Sequence, residues 1–208
     1  MKLWSKENTD TSKQVEKFTV GKDREFDLLL APFDVLGSMA HAKMLATVGL
    51  LTVDEAGQII AELKKIYQLS HDSRLTIDEN IEDIHSQVEL LLTKKLGDTG
   101  KKIHSARSRN DQVLVDVKLF LRNEIEELVQ AVQPFFQLLQ QQSEKYKQHL
   151  FPGYTHLQLA MPSSFGLWFG AYAESLVDDL ITLQAAYEVV NKNPLGSAAG
   201  YGSSFPIN

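Results

Sequence analysis

Val113-Leu114-Val115-Asp116-Val117-Lys118-Leu119-Phe120-Leu121-Arg122-Asn123-Glu124-Ile125-Glu126-Glu127-Leu128-Val129-Gln130-Ala131-Val132-Gln133-Pro134-Phe135-Phe136-Gln137-Leu138-Leu139 is the stretch that decides the fold. Val113, Val117, Phe120 or Leu121, Ile125, Leu128, Val132, Phe135 and Leu139 recur in alternating steps of three and four, the spacing of one face of a long, nearly heptad helix. Pro134 removes one backbone donor and crowds the preceding turn, so a kink is expected there and not a chain reversal. Phe151-Pro152-Gly153 then breaks the pattern. Pro162 fits a first helical position, and Phe165, Phe169, Tyr172, Leu176, Leu180, Leu183, Tyr187 and Val190 mark a second long helix. Gly166, Gly170, Ala171 and Ala173 leave that helix open to close approach by a neighbour. Two long antiparallel helices are implied. At about 1.5 Å per residue, helices of roughly forty and thirty residues are too long to be covered by the rest of the chain, so they call for partners.

Upstream, three shorter helices are expected. The first runs from about Asp27 to Thr47, with Pro32 near its first turn and Gly49 ending it. Thr52 and Glu55 have the form of a capping box, followed by Ile59, Ile60, Leu63, Ile66 and Tyr67 at helical spacing. A third helix spans about Ile81 to Leu96, with Gly97 at its C-terminal side. The first twenty or so residues are polar and aperiodic and read as an extended arm. No run alternates with period two for long enough to mark a strand, and no tandem repeat is present. The expected class is therefore all-α, with an N-terminal helical domain over 1–106 and the first part of a long-helix bundle over 107–208. The glycine-rich end, Pro194-Leu195-Gly196-Ser197-Ala198-Ala199-Gly200-Tyr201-Gly202, stops without a closing element, so a truncated bundle is expected.

Composition narrows the functions. The 208 residues are 43% apolar and 23% charged, the balance of a globular protein. With no cysteine, disulfides, thiolate nucleophiles and cysteine metal sites are excluded. A formal net charge of −6 argues against general nucleic-acid binding, which needs a surplus of Lys and Arg on the binding face. Met1-Lys2-Leu3-Trp4-Ser5-Lys6 lacks the apolar run of a signal peptide, and no uninterrupted apolar stretch suggests a membrane span, so a cytoplasmic protein is expected.

Two polar clusters stand out. Lys102-Ile103-His104-Ser105-Ala106-Arg107-Ser108-Arg109-Asn110-Asp111-Gln112 lies where the long helix begins. Unpaired N–H groups and a partial positive charge at a helix start, joined by Ser108, Arg109 and Asn110, make a seat for a carboxylate, although Ser and Asn are also ordinary N-cap residues. Gly153-Tyr154-Thr155-His156-Leu157-Gln158 supplies a loop histidine able to exchange protons near neutral pH. Glu82-Asp83-Ile84-His85 lacks a second histidine at ligand spacing, so His85 reads as a polar contact and no metal site is expected. His41, His71 and His149 read as surface or helix-packing residues. The glycine-rich end follows no strand and carries no Gly-Lys-Ser or Gly-Lys-Thr, so it is not a nucleotide loop.

In this order the segments resemble the argininosuccinate lyase family of the fumarase/aspartase superfamily. The resemblance rests on Lys2-Leu3-Trp4, Asp34-Val35-Leu36-Gly37-Ser38-Met39-Ala40-His41-Ala42, Glu82-Asp83-Ile84-His85, His104 to Gln112, Phe151 to Gln158 and Pro194-Leu195-Gly196-Ser197. Phe18-Thr19-Val20-Gly21 departs from the family's Phe-Asn-x-Ser. The resemblance implies a β-elimination that splits argininosuccinate into arginine and fumarate, without cofactor, in a homotetramer. It implies His156 as the proton-transfer residue, with Ser108, Arg109, Asn110, Thr155, His85 and Gln158 contacting substrate. It also implies a Gly-Ser-Ser-x-Met-Pro-x-Lys-x-Asn loop, which Gly202-Ser203-Ser204-Phe205-Pro206-Ile207-Asn208 resembles only at its opening. The rivals are a sister fumarate-releasing lyase and a non-catalytic helical scaffold of crystallin type.

Overall fold

A computed structural model describes Phe18 and residues 20–207. The expected arm and its Lys2-Leu3-Trp4 motif lie outside the described residues, apart from Phe18 and Val20. By their contacts the described residues form two compact units, one taking in those up to residue 120 together with 193–207, the other residues 121–192.

In the first unit α1 (Asp23–Thr47), α2 (Val53–His71) and α3 (Ile84–Leu96) pack around one apolar core. Val35, Ala42 and Leu45 from α1, Ile59, Leu63 and Ile66 from α2, and Ile84, Val88 and Leu92 from α3 are all buried in it, whereas Leu28, Leu29 and Leu36 of α1 are exposed. Thr52 and Glu55 form the expected capping box, each side chain bonded to the other residue's backbone N–H. Pro32 does not sit in the first turn of α1; the helix begins earlier, at Asp23, and Pro32 falls inside it. α3 starts at Ile84 and not Ile81, because Asp83 caps it by accepting from Ser86 N–H at 2.7 Å. A short α4 (Asp98–Lys101) and a 3₁₀ turn (Lys102–His104) lead to the long helix. α1 is long and apolar enough to cross a membrane by composition alone, yet its inward face carries Asp34, Ser38 and His41, all buried against the other helices of this unit.

α5 (Arg109–Tyr146) is the predicted long helix, 38 residues running through Pro134 without interruption. Its first turns belong to the first unit and the remainder to the second. The boundary expected between Ala106 and Arg107 thus falls inside the first unit, where Asp111, Gln112 and Asp116 of α5 are buried.

In the second unit α5 is followed by β1 (Leu150–Thr155), β2 (Gln158–Ser164) and α6 (Phe165–Val190). The antiparallel hairpin replaces the irregular break read from sequence. Pro162 lies in β2 opposite Pro152 and does not start α6; both strands are edges, where a missing N–H is tolerated. Ser164 caps α6 by accepting from Leu167 N–H at 3.2 Å. The two long helices run antiparallel, as expected: Arg122 contacts Asn191 and Glu126 contacts Tyr187 at one end, while Ser143 Oγ donates to Gly166 O at the other. Gly166 permits that closeness, since a Cβ there would lie 2.6 Å from Lys147 Cα.

Candidate functional site

The start of α5 is held by a reciprocal cap. Ser108 Oγ accepts from Asn110 N–H at 3.3 Å, and Asp111 Oδ1 accepts from Ser108 N–H at 2.9 Å. The second carboxylate oxygen of Asp111 accepts from Gly196 N–H at 2.9 Å and Ala198 N–H at 2.8 Å, so one side chain, 1% exposed, binds the glycine-rich loop to the helix start. Sequence reasoning gave Asp111 no role. Its spacing three residues after a serine was the available signal.

Arg109 does not stand free. One terminal nitrogen donates to Asp83 and the other to Ser86 Oγ at 2.8 Å, tying the start of α5 to the start of α3. Asp83 therefore caps one helix and pairs with the arginine of the next. Arg109 Nε remains buried without a partner. Asn110, one residue on, is exposed.

Behind this turn lies a buried polar cluster. His85 Nδ1 is 2.8 Å from Asp34 Oδ1 and 3.5 Å from Asp116 Oδ2. Gln112 Nε2 donates to the same Asp34 oxygen at 2.5 Å, and Arg107 donates to Ser38 Oγ at 3.0 Å. Burial pushes the Asp116 carboxyl up to about 9, with the neighbouring Asp34 charge adding to it. Burial opposes ionisation of Asp34 as well, but hydrogen bonds from His85 and Gln112 and the charge of Arg107 hold it below its ordinary value. The ligand atoms of Asp34, His85 and Asp116 lie within 4.8 Å of one another. A cation there would have to displace the existing Asp34–His85 hydrogen bond. Asp34 and Asp116 were legible only as charged residues interrupting apolar helical faces.

Thr155, His156 and Gln158 belong to the other unit, at the tip of the hairpin. Thr155 pairs with Gln158 across the ladder, and His156 and Leu157 form the two-residue turn with φ of 51° and 63°. Positive φ at both central residues is the type I′ geometry, in which Asn and Gly are the comfortable occupants. The turn places two residues that disfavour this conformation side by side, and both are exposed.

Of the sequence-predicted residues, Ser108, Arg109, Asn110 and His85 thus cluster in the first unit, and Thr155, His156 and Gln158 cluster in the second.

A helical chain with a polar helix start and a histidine-tipped hairpin has the architecture of the long-helix lyases. It is similar to the solved structure of an EDDS lyase variant with bound fumarate, with a TM-score of 0.78 at 25% identity, covering 97% of this chain and 40% of that one. The sequence profile of a family described as lyase matches residues 4–208, and the chain belongs to that family. The argininosuccinate lyases of Bacteroides fragilis and Parabacteroides distasonis are each 64% identical to it over 207 residues. The match takes in all of this chain and 46% of each relative, so the chain spans about half their length.

Proposed function

We propose that this chain forms part of an argininosuccinate lyase, which splits argininosuccinate into arginine and fumarate by β-elimination in arginine biosynthesis. The observation that carries the proposal is 64% identity to curated argininosuccinate lyases along the whole chain. The chemistry suits the residues. A proton leaves the carbon beside a carboxylate, negative charge grows on that carboxylate, and the C–N bond breaks as the departing guanidino nitrogen gains a proton. Ser108, Asn110 and the N-terminal turn of α5 oppose the growing charge, a contribution that strengthens when water is excluded. Arg109, its charge shared with Asp83, and His85 complete that group. Thr155 and Gln158 contact substrate at the hairpin tip, where His156 moves a proton. The working form is a cytoplasmic homotetramer assembled through the long helices.

The test is fumarate release from argininosuccinate by a protein of the relatives' full length carrying this chain, beside a His156→Asn variant. Asn is the non-glycine residue most at ease with positive φ, so the turn survives the substitution. Turnover is expected to fall by roughly 10²-fold or more, the scale of positioned proton transfer, with little change in unfolding midpoint. Equal turnover removes His156 from the chemistry. Fumarate release only from a different adduct establishes the sister-lyase reading, and a folded protein inactive on every adduct establishes the scaffold reading.

A further inference from the structure

Where α1, α3 and α5 meet, Asp34 Oδ2 and both carboxylate oxygens of Asp116 are buried with no hydrogen-bond donor. Both aspartates are 0% exposed. Two ionised carboxylates so placed would repel each other and leave three acceptors unsatisfied, an arrangement that native interiors avoid. The groups facing Asp116 are Asp34 and Asp27 from α1, His85 from α3 and Arg107 from the segment before α5. Neither Asp116 oxygen has a donor: its contact with the Asp34 carboxylate sets one acceptor against another, and Asp27 adds further negative charge.

We propose that Asp34 and Asp116 share one proton at neutral pH, with Asp116 a buried carboxylic acid donating to Asp34 Oδ2, and that the pair positions His85 through Asp34 Oδ1. A single proton gives the orphaned Asp34 oxygen its donor, makes the Asp116 hydroxyl a donor and removes the repulsion. The asymmetry of the surroundings decides which residue keeps the proton. Asp34 accepts from His85 Nδ1 and Gln112 Nε2, so its charge is solvated by the protein. Asp116 has no such donors, and its carboxyl is raised to about 9 by burial and by the neighbouring Asp34 charge. With Nδ1 committed to Asp34, His85 has Nε2 left for another partner. That this partner is substrate rests on the lyase reading; the shared proton does not, so the experiment reads protonation and stability and not turnover.

Unfolded, Asp116 ionises near 3.8; folded, it keeps its proton to about 9. The folded state therefore binds the extra proton across that window, and Asp116's contribution to stability falls as pH rises through it. Asp116→Asn mimics the neutral acid and keeps a donor toward Asp34. Thermal unfolding of this chain from about pH 5 to about pH 8 is compared with that of the variant. The variant is expected to match or exceed the wild-type midpoint at the alkaline end and to lose the decline attributable to this site. Infrared spectroscopy of the wild type at neutral pH is expected to show a protonated carboxyl band that the variant lacks. That spectrum decides the matter even if the variant folds poorly. Absence of the band, an equal loss of midpoint in the variant at every pH, or stoichiometric binding of manganese or zinc by the wild type that Asp116→Asn abolishes overturns the proposal.

Discussion

Two histidines show how position separates side chains of one type. His156 sits at an exposed turn held in an uncommon backbone conformation, whereas His41 is 2% exposed, with Nε2 at 2.9 Å from Ser105 O. Burial, with the charge of Arg107 beside it, lowers His41 from 6.5 to about 4. The unfolded chain therefore takes up a proton below pH 6.5 that the folded chain refuses until about pH 4. The sign follows: His41's contribution is intact above pH 6.5 and is lost as pH falls toward 4. Over that window the loss amounts to about 3 kcal/mol. In His41→Gln, whose side-chain amide also reaches toward Ser105, the loss is expected to disappear. Denaturant titrations of both proteins at several acid pH values check it, and parallel acid limbs would refute it. His156 was singled out because its neighbours spell a motif; His41 was read as a surface or packing residue because sequence periodicity does not reveal what an inward-facing polar group meets. Asp34, although it opens one of the motifs of the resemblance, and Asp116 were given no role for the same reason, each lying among apolar residues of a helical face.

At the scale of elements, the five longer helices were legible and the hairpin was not, and the cause is burial. α1, α2 and α3 bury one face each, so their apolar residues repeat with the period of the helix. Both faces of the hairpin are largely exposed, so no inward residue alternates with an outward one and period two never emerges. Pro152, Gly153 and Pro162 reinforced the look of a loop, although paired prolines fit an isolated two-stranded ribbon. Gly153 lies where the pairing shifts between Pro152 and Tyr154, and a Cβ there would come within 2.9 Å of Met161 O. The turn is a second test of this element. Leu157 is 98% exposed, and its φ of 63° yields no packing in return. Leu157→Gly is expected to raise stability by about 1 kcal/mol by relieving the left-handed conformation. Leu157→Val, β-branched, is expected to lower it. Chemical denaturation of the pair measures the difference; the reverse order would mean that the turn is not the two-residue form described.

At the scale of the whole molecule, the second unit leaves its apolar surface unspent. Of the long helices' apolar residues in this unit, only Leu139 and Ala173 are buried among those described. Along α6, Leu167, Trp168, Tyr172, Val177, Ile181 and Val189 are exposed, and along α5 so are Leu128, Val129, Phe135 and Leu138. Two helices packed against each other have no third surface on which to bury a second apolar face, so the heptad-like pattern that marked α5 in the sequence specifies more contacts than one neighbour supplies. Exposed apolar side chains in this number are expected to seek a partner surface. Ile181 is 62% exposed and lies between the exposed Val177 and Val189 on the same helix. Ile181→Arg places a charge there without touching the core of the first unit, and Arg is a good helix former, so α6 itself is not penalised. Sedimentation velocity is expected to show the wild-type chain self-associated at micromolar concentration and the variant shifted to smaller species. Circular dichroism should show the same helix content for variant monomer and wild type. A monomeric wild type, or an assembly indifferent to a charge at Ile181, would separate the exposed face from self-association and leave the periodicity of α6 to be explained by another partner.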